Sequence, residues 1–133
     1  MVTNYQKITI IKIRKPLRRD VNEELQWFGA SLGLFNLRDK DRSCFRIFVE
    51  LLKAAKKGEG FSSDEIAYRS GLSRGTVIHH INKLIDSGLV INDQRRYVLR
   101  VSTLKPLIEE VERDMKRTFE DLRDIAIDID ERI

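Results

Sequence analysis

The chain has 133 residues, 41% hydrophobic and 35% charged, with a net charge of +4 and a single cysteine, Cys44. That composition builds one small domain with an appendage; it holds no apolar run of the roughly eighteen residues a transmembrane helix needs, and no cysteine pair for an internal disulfide. The charge is uneven: residues 1–104 hold 19 Lys and Arg against 11 Asp and Glu, and residues 105–133 hold 6 against 10. A basic body suits an acidic polymer such as nucleic acid, with the acidic end left for another task, although a solvated surface also accounts for a basic excess.

Residues 1–20 form the first segment. Ile8, Ile10, Ile11 and Ile13 are β-branched and predict a short strand, with the alternation broken between Ile10 and Ile11. ITIIKI is too short to span a bilayer, and no small-residue cleavage site follows it. Lys12, Arg14, Lys15, Arg18 and Arg19 gather around Pro16. Two readings stand: a basic arm against phosphates or a minor groove, or a strand packed on the body or a partner chain, with the isoleucines favouring burial.

Residues 21–37 carry the first helix. Asp20 and Glu23 have capping-box spacing, and Val21, Leu25, Phe28 and Leu32 follow at helical spacing, so a helix is predicted from about 21 to 33. Gly29 and Gly33 share a face that admits another backbone, and Trp27 suits a core or interface position. Asn36 to Lys40 reads as a loop, with Asp39 placed to cap a second helix over about 40–57. Its wide apolar stripe is Cys44, Phe45, Phe48, Val49, Leu51, Leu52 and Ala55. Cys44 falls within that stripe and reads as a small core residue; a lone cysteine is consistent with a reducing cytosol, so a cytoplasmic location is expected.

Phe61 precedes a run, FSSDEIAYRSGLSRGTVIHHINKLIDSG, that predicts two short helices joined by a tight turn. Ser62 and Glu65 form a capping box, Gly71 suits the left-handed end of the first helix, and Ser73 can cap the second. Val77, Ile81 and Leu84 line one side of the second helix; Arg74, Gly75, Thr76, Ile78, His79 and Lys83 line the other. A short helix with an apolar back and a polar, basic front, set just after a turn, is how a helix-turn-helix presents its recognition helix. Leu89–Ile91 and Tyr97–Leu99 then predict a hairpin with its turn chemistry at Asn92 and Asp93. Ser102 is placed to cap the last helix, with Pro106 in its first turn.

From there the period becomes seven. Ile108, Met115, Leu122 and Ile129 recur at one position, Val111, Thr118, Ile125 and Arg132 at another, and Phe119, Ala126 and Ile133 widen the stripe. The seam must meet the helix at 21–33, the same helix of a second chain, or both; a lone helix folded back on its own body is the plainer alternative. Self-pairing into a homodimer hides the apolar patch most simply. The expected interface is Ile108, Val111, Met115, Phe119, Leu122, Ile125 and Ile129.

The segment SRGTVIHHINKLIDSGLV, with the hairpin after it, resembles the winged helix-turn-helix of ArsR- and MarR-type transcriptional regulators. The matching positions are Thr76, Val77, His80, Ile81, Leu84, Gly88, Leu89 and Val90, within about residues 40–100. The resemblance implies a mainly α fold with a small β-hairpin wing (α+β), residues 38–101 as DNA-binding domain, and residues 102–133 as a dimerisation helix. It implies double-stranded DNA as partner, bound by a homodimer acting as a sequence-specific regulator. A protein-interaction module in a larger assembly is the alternative, since one fold hosts many functions.

In that setting Arg74 is the candidate for a bidentate contact to guanine, and Thr76 and His79 for base edges or phosphate. Ile78 meets a thymine methyl or turns inward beside Ile85. Lys83, Arg95 and Arg96 are expected on phosphate, Ser73 beside a phosphate at the helix N-terminus, and His80 in a packing or phosphate role. No catalytic motif is present, so an enzyme is not expected. Adjacent His79 and His80 point about 100° apart on a helix and cannot chelate one ion together. The paired cysteines or His/Asp sets of metal-sensing ArsR proteins are absent, so no metal, cofactor or membrane is expected, and the effector, if there is one, is unknown.

Overall fold

A computed structural model of the chain describes residues 5–17, 19–35 and 42–133. Its elements run in the order α1 (Val21–Ser31), α2 (Ser43–Lys56), α3 (Ser63–Ser70), α4 (Arg74–Asp86), β1 (Val90–Asp93), β2 (Arg96–Leu99) and α5 (Leu104–Arg132). The mainly α fold with a hairpin wing and a long last helix is therefore the one the sequence pattern predicts.

The centre is α2. Cys44, Ile47, Phe48 and Leu51 are each at most 1% exposed, and the helix packs on α3, α4 and β2. Ile47, which the stripe read from sequence passed over, is fully buried among them. Around α2 close Ile66 of α3, Val77, Ile81 and Leu84 of α4, Val90 and Leu99 of the wing, and Leu107 and Val111 of α5. Burial of such side chains contributes roughly 1.5–3 kcal/mol each, which makes this cluster the main source of stability. The helix begins at Ser43, with Arg42 at its N-cap in a left-handed conformation (φ 51°). The expected loop at 36–40 and the cap at Asp39 lie outside the described residues.

In α1 the Asp20 carboxylate accepts from the Glu23 N–H at 2.8 Å, the N-cap half of the expected capping box. The helix stops at Ser31, two residues short of the predicted end. Gly29 is buried where a side chain would overlap the Phe45 ring. The close neighbour is an aromatic side chain and not the second backbone that the glycine spacing predicted. Trp27 is half-buried and donates from Nε1 to the Ile13 carbonyl at 3.1 Å.

Among its described residues, the N-terminal segment forms no strand. Its backbone donors go to helix ends instead: Lys7 N–H to the Asp86 carbonyl at 2.9 Å and Ile11 N–H to Ser31 at 2.7 Å. The far side of β2 is bridged instead by Phe61, whose N–H and C=O both bond Tyr97. The segment is thus a strap over α4 and α1. Only Ile8 packs against the core; Ile10, Ile11 and Ile13 remain exposed.

The wing also differs in detail. Asn92 and Asp93 are strand residues, and the turn is Gln94–Arg95, both with positive φ (51° and 68°). Two left-handed residues between paired strands match the right-handed twist of a hairpin, although neither is the usual Asn or Gly. Thr103, not Ser102, stands at the N-cap of α5, without a side-chain bond. From residue 116 onward α5 is exposed on every side, so only its first half is anchored to the body.

Candidate nucleic-acid interface

The turn between α3 and α4 is built as its residues dictate. Ser62 Oγ accepts from Glu65 N–H at 3.2 Å while the Glu65 carboxylate accepts from Ser62 N–H, the reciprocal capping box. That backbone donor, with the Ser62 hydroxyl and the Arg96 and Arg69 charges, holds the Glu65 carboxyl below its ordinary pKa. Gly71 takes φ +68° and bonds back to the Ala67 carbonyl, reversing the chain at a conformation other residues resist. Leu72 packs on the core, and Ser73 starts α4 by accepting from Thr76 N–H at 3.2 Å.

On α4 each residue advances about 100°, so its sides can be read directly. Val77, Ile81 and Leu84 are fully buried. Arg74, Gly75, His79, Asn82, Lys83 and Asp86 are exposed, whereas Thr76, Ile78 and His80 are half-buried. Asn82 stands on this outer side though the sequence pattern did not single it out. Its spacing of three from His79 was the available signal. Tyr68 on α3, 91% exposed, is a second such residue.

The expected contact residues are not equally free. Arg74 Nε lies 3.7 Å from Asp64 on α3, an exposed pair that binds weakly. The Ser73 hydroxyl donates to Thr76 Oγ1 at 2.8 Å, so these two side chains are engaged with each other. Lys83 Nζ reaches the Gly33 carbonyl at 3.4 Å. His79 is exposed, its ring edge-on to His80 at 5.2 Å between centroids. Arg95 projects from the wing turn. Arg96 is turned back onto its own chain, donating to the Gly60 carbonyl at 2.9 Å and pairing with Glu65 at 3.3 Å. It thereby ties the wing to the N-terminus of α3.

Behind the outer face of α4 a cleft of about 590 Å3 opens towards the strap, with Tyr5, Lys7, Leu34, His79, Asn82 and Lys83 among its walls. No group of acidic, His and Cys side chains able to hold a metal occurs among the described residues. Among them, too, no helix is long and apolar enough to cross a membrane.

The residues expected on the dimer seam fall into three groups. Val111 is only 3% exposed and is spent on the chain's own core, with Leu107 beside it. It has almost no surface left for a partner, because the first half of α5 turns this side to the body. Ile108 and Met115 are half-buried. Phe119, Leu122, Ile125 and Ile129 are 49–57% exposed and carry the stripe into solvent.

No curated protein and no solved structure matches the chain. The family model of the ArnR1-like winged-helix domain matches residues 36–126, from before α2 through the wing and far along α5. The likeness to ArsR and MarR regulators is carried at the level of the winged helix, a class whose members point to DNA binding and transcriptional control. With well over half its length matched and the fold as described, the chain belongs to the ArnR1-like winged-helix domain family.

Proposed function

We propose that the protein is a homodimeric, sequence-specific regulator of transcription that reads double-stranded DNA with α4. The observation that carries this is α4 itself. Its apolar side is fully spent on the core, while Arg74, His79, Asn82 and Lys83 stand exposed on a rigid, capped helix after a tight turn. Such a helix fits a major groove, and Arg74 has the fork to take both acceptors of a guanine. Arg95 at the wing tip suits an adjacent phosphate. A two-fold dimer built through the exposed part of α5 then calls for a palindromic site, with half-sites about one helical turn, or a multiple, apart.

Selection from random duplexes with the purified protein tests this reading. A palindrome with such spacing and salt-sensitive affinity is the expected result. Arg74→Ala should cost about 1–3 kcal/mol on the selected site and relax one base position. Affinity indifferent to sequence, salt and this substitution would remove DNA reading through α4. It would favour the adaptor reading, for which Asp64, Asp86 and Asp93, exposed on α3, α4 and the wing, offer a surface of mixed charge.

A further inference from the structure

Two exposed apolar surfaces of this chain carry opposite charge. The first is the free half of α5, where Phe119, Leu122, Ile125 and Ile129 stand exposed and residues 116–132 carry six acids, Glu120, Asp121, Asp124, Asp128, Asp130 and Glu131, against four cations, Lys116, Arg117, Arg123 and Arg132. None of these six acids is in an ion pair among the described residues. The second is the strap, where Ile10, Ile11, Ile13 and Leu17 are 39–90% exposed and alternate with Lys12, Arg14 and Lys15. Those three cations likewise carry no ion pair among the described residues. Within one chain the two surfaces are not joined: α5 runs on as one helix, and every residue from 116 onward is exposed.

We propose that the free half of α5 lies across the strap of a second copy of this chain, each protomer giving its tail to the other. The proposal rests on the homodimer of the preceding section and names the surface that meets the tail. Tail-on-tail pairing fits the charges poorly. Asp121 and Asp128 directly precede Leu122 and Ile129 and edge the stripe. Two such helices laid antiparallel bring these aspartates face to face, and laid parallel they set each aspartate against an apolar edge residue, Ala126 or Ile133, with no cation to meet it. Laid on the strap, the same aspartates meet Lys12, Arg14 and Lys15 while the isoleucines of both surfaces leave water. The lengths agree as well: residues 116–132 span about 25 Å as a helix, and the ten residues from Ile8 to Leu17 at most about 33 Å extended.

Sedimentation of the full chain across a concentration series tests this. Lys12→Glu, Arg14→Glu and Lys15→Glu together should weaken the dimer about tenfold or more. Asp121→Lys, Asp124→Lys and Asp128→Lys in the same chain should restore most of that loss. All six positions are exposed, so an unchanged circular-dichroism spectrum is expected. Asp121→Asn with Asp128→Asn supplies the sharper contrast. Strap docking predicts a weaker dimer, whereas tail-on-tail pairing predicts a tighter one and, if seen, overturns the proposal. A dimer indifferent to strap reversal overturns it equally. A wild-type chain that stays monomeric at high concentration overturns the homodimer itself.

Discussion

Asp114 shows how much one side chain can join. Only 8% exposed, it accepts from Arg100 at the end of the wing, Gln6 of the strap and Arg117 on its own helix. The Arg100 bond, with Gln6 and Arg117 in support, pulls its carboxyl down to about 2. The sign follows from linkage. Between that value and an unfolded carboxyl near about 4, only the unfolded chain takes up the proton, so stability is fully present above about pH 4 and declines towards pH 2. The loss should reach about 2 kcal/mol in denaturant melts, and Asp114→Asn should flatten it. None of this was legible beforehand, because Gln6 and Arg100 are 108 and 14 residues away. Arg96 teaches the same lesson in reverse. Its charge and place in the hairpin were visible, but not its bond to Gly60. Arg95→Ala should therefore lower the salt slope of DNA binding by about one, whereas Arg96→Ala should cost about 1 kcal/mol of folding stability through the bond that holds the wing.

Elements whose logic is local could be read in advance. The capping box at Ser62, the left-handed Gly71 and the Ser73 cap depend on residues within a turn of one another, and each is formed as predicted. Elements that depend on distant partners could not. The isoleucines of the strap have strand chemistry, but the backbone donors beside them go to the carbonyls that end α1 and α4. The wing turn moved to Gln94–Arg95 because the register pairing Val90 with Leu99 places Asp93 opposite Arg96. That register is set by burial of Val90 and Leu99, which outweighs the turn preference of Asn92 and Asp93. The α1–α2 crossing offers a test at this scale. Alanine normally favours a helix over glycine by about 1 kcal/mol, yet Gly29→Ala would press on the Phe45 ring. Thermal melts should show a net loss of about 1–3 kcal/mol, the usual range for overpacking. An unchanged or raised melting temperature would mean the two helices are free to part.

At the scale of the molecule, the seven-residue stripe was legible from end to end, but not where the body lets go of it. The sequence repeats the same pattern on both sides of Met115; the core takes Leu107 and Val111 and leaves Leu122 and its neighbours in water. Leu122→Glu should accordingly give a monomer by sedimentation with the fold intact, and an unchanged mass would deny the tail any part in assembly. The strap has a further consequence, for the order of events in time. Residues 5–17 are synthesised well before the carbonyls of Ser31 and Asp86 and the carboxylate of Asp114 that they dock against. Contacts so distant along the chain close late, after the local helices and the wing have formed. On the ribosome the strap thus waits, isoleucines and cations exposed, until nearly the whole domain has emerged.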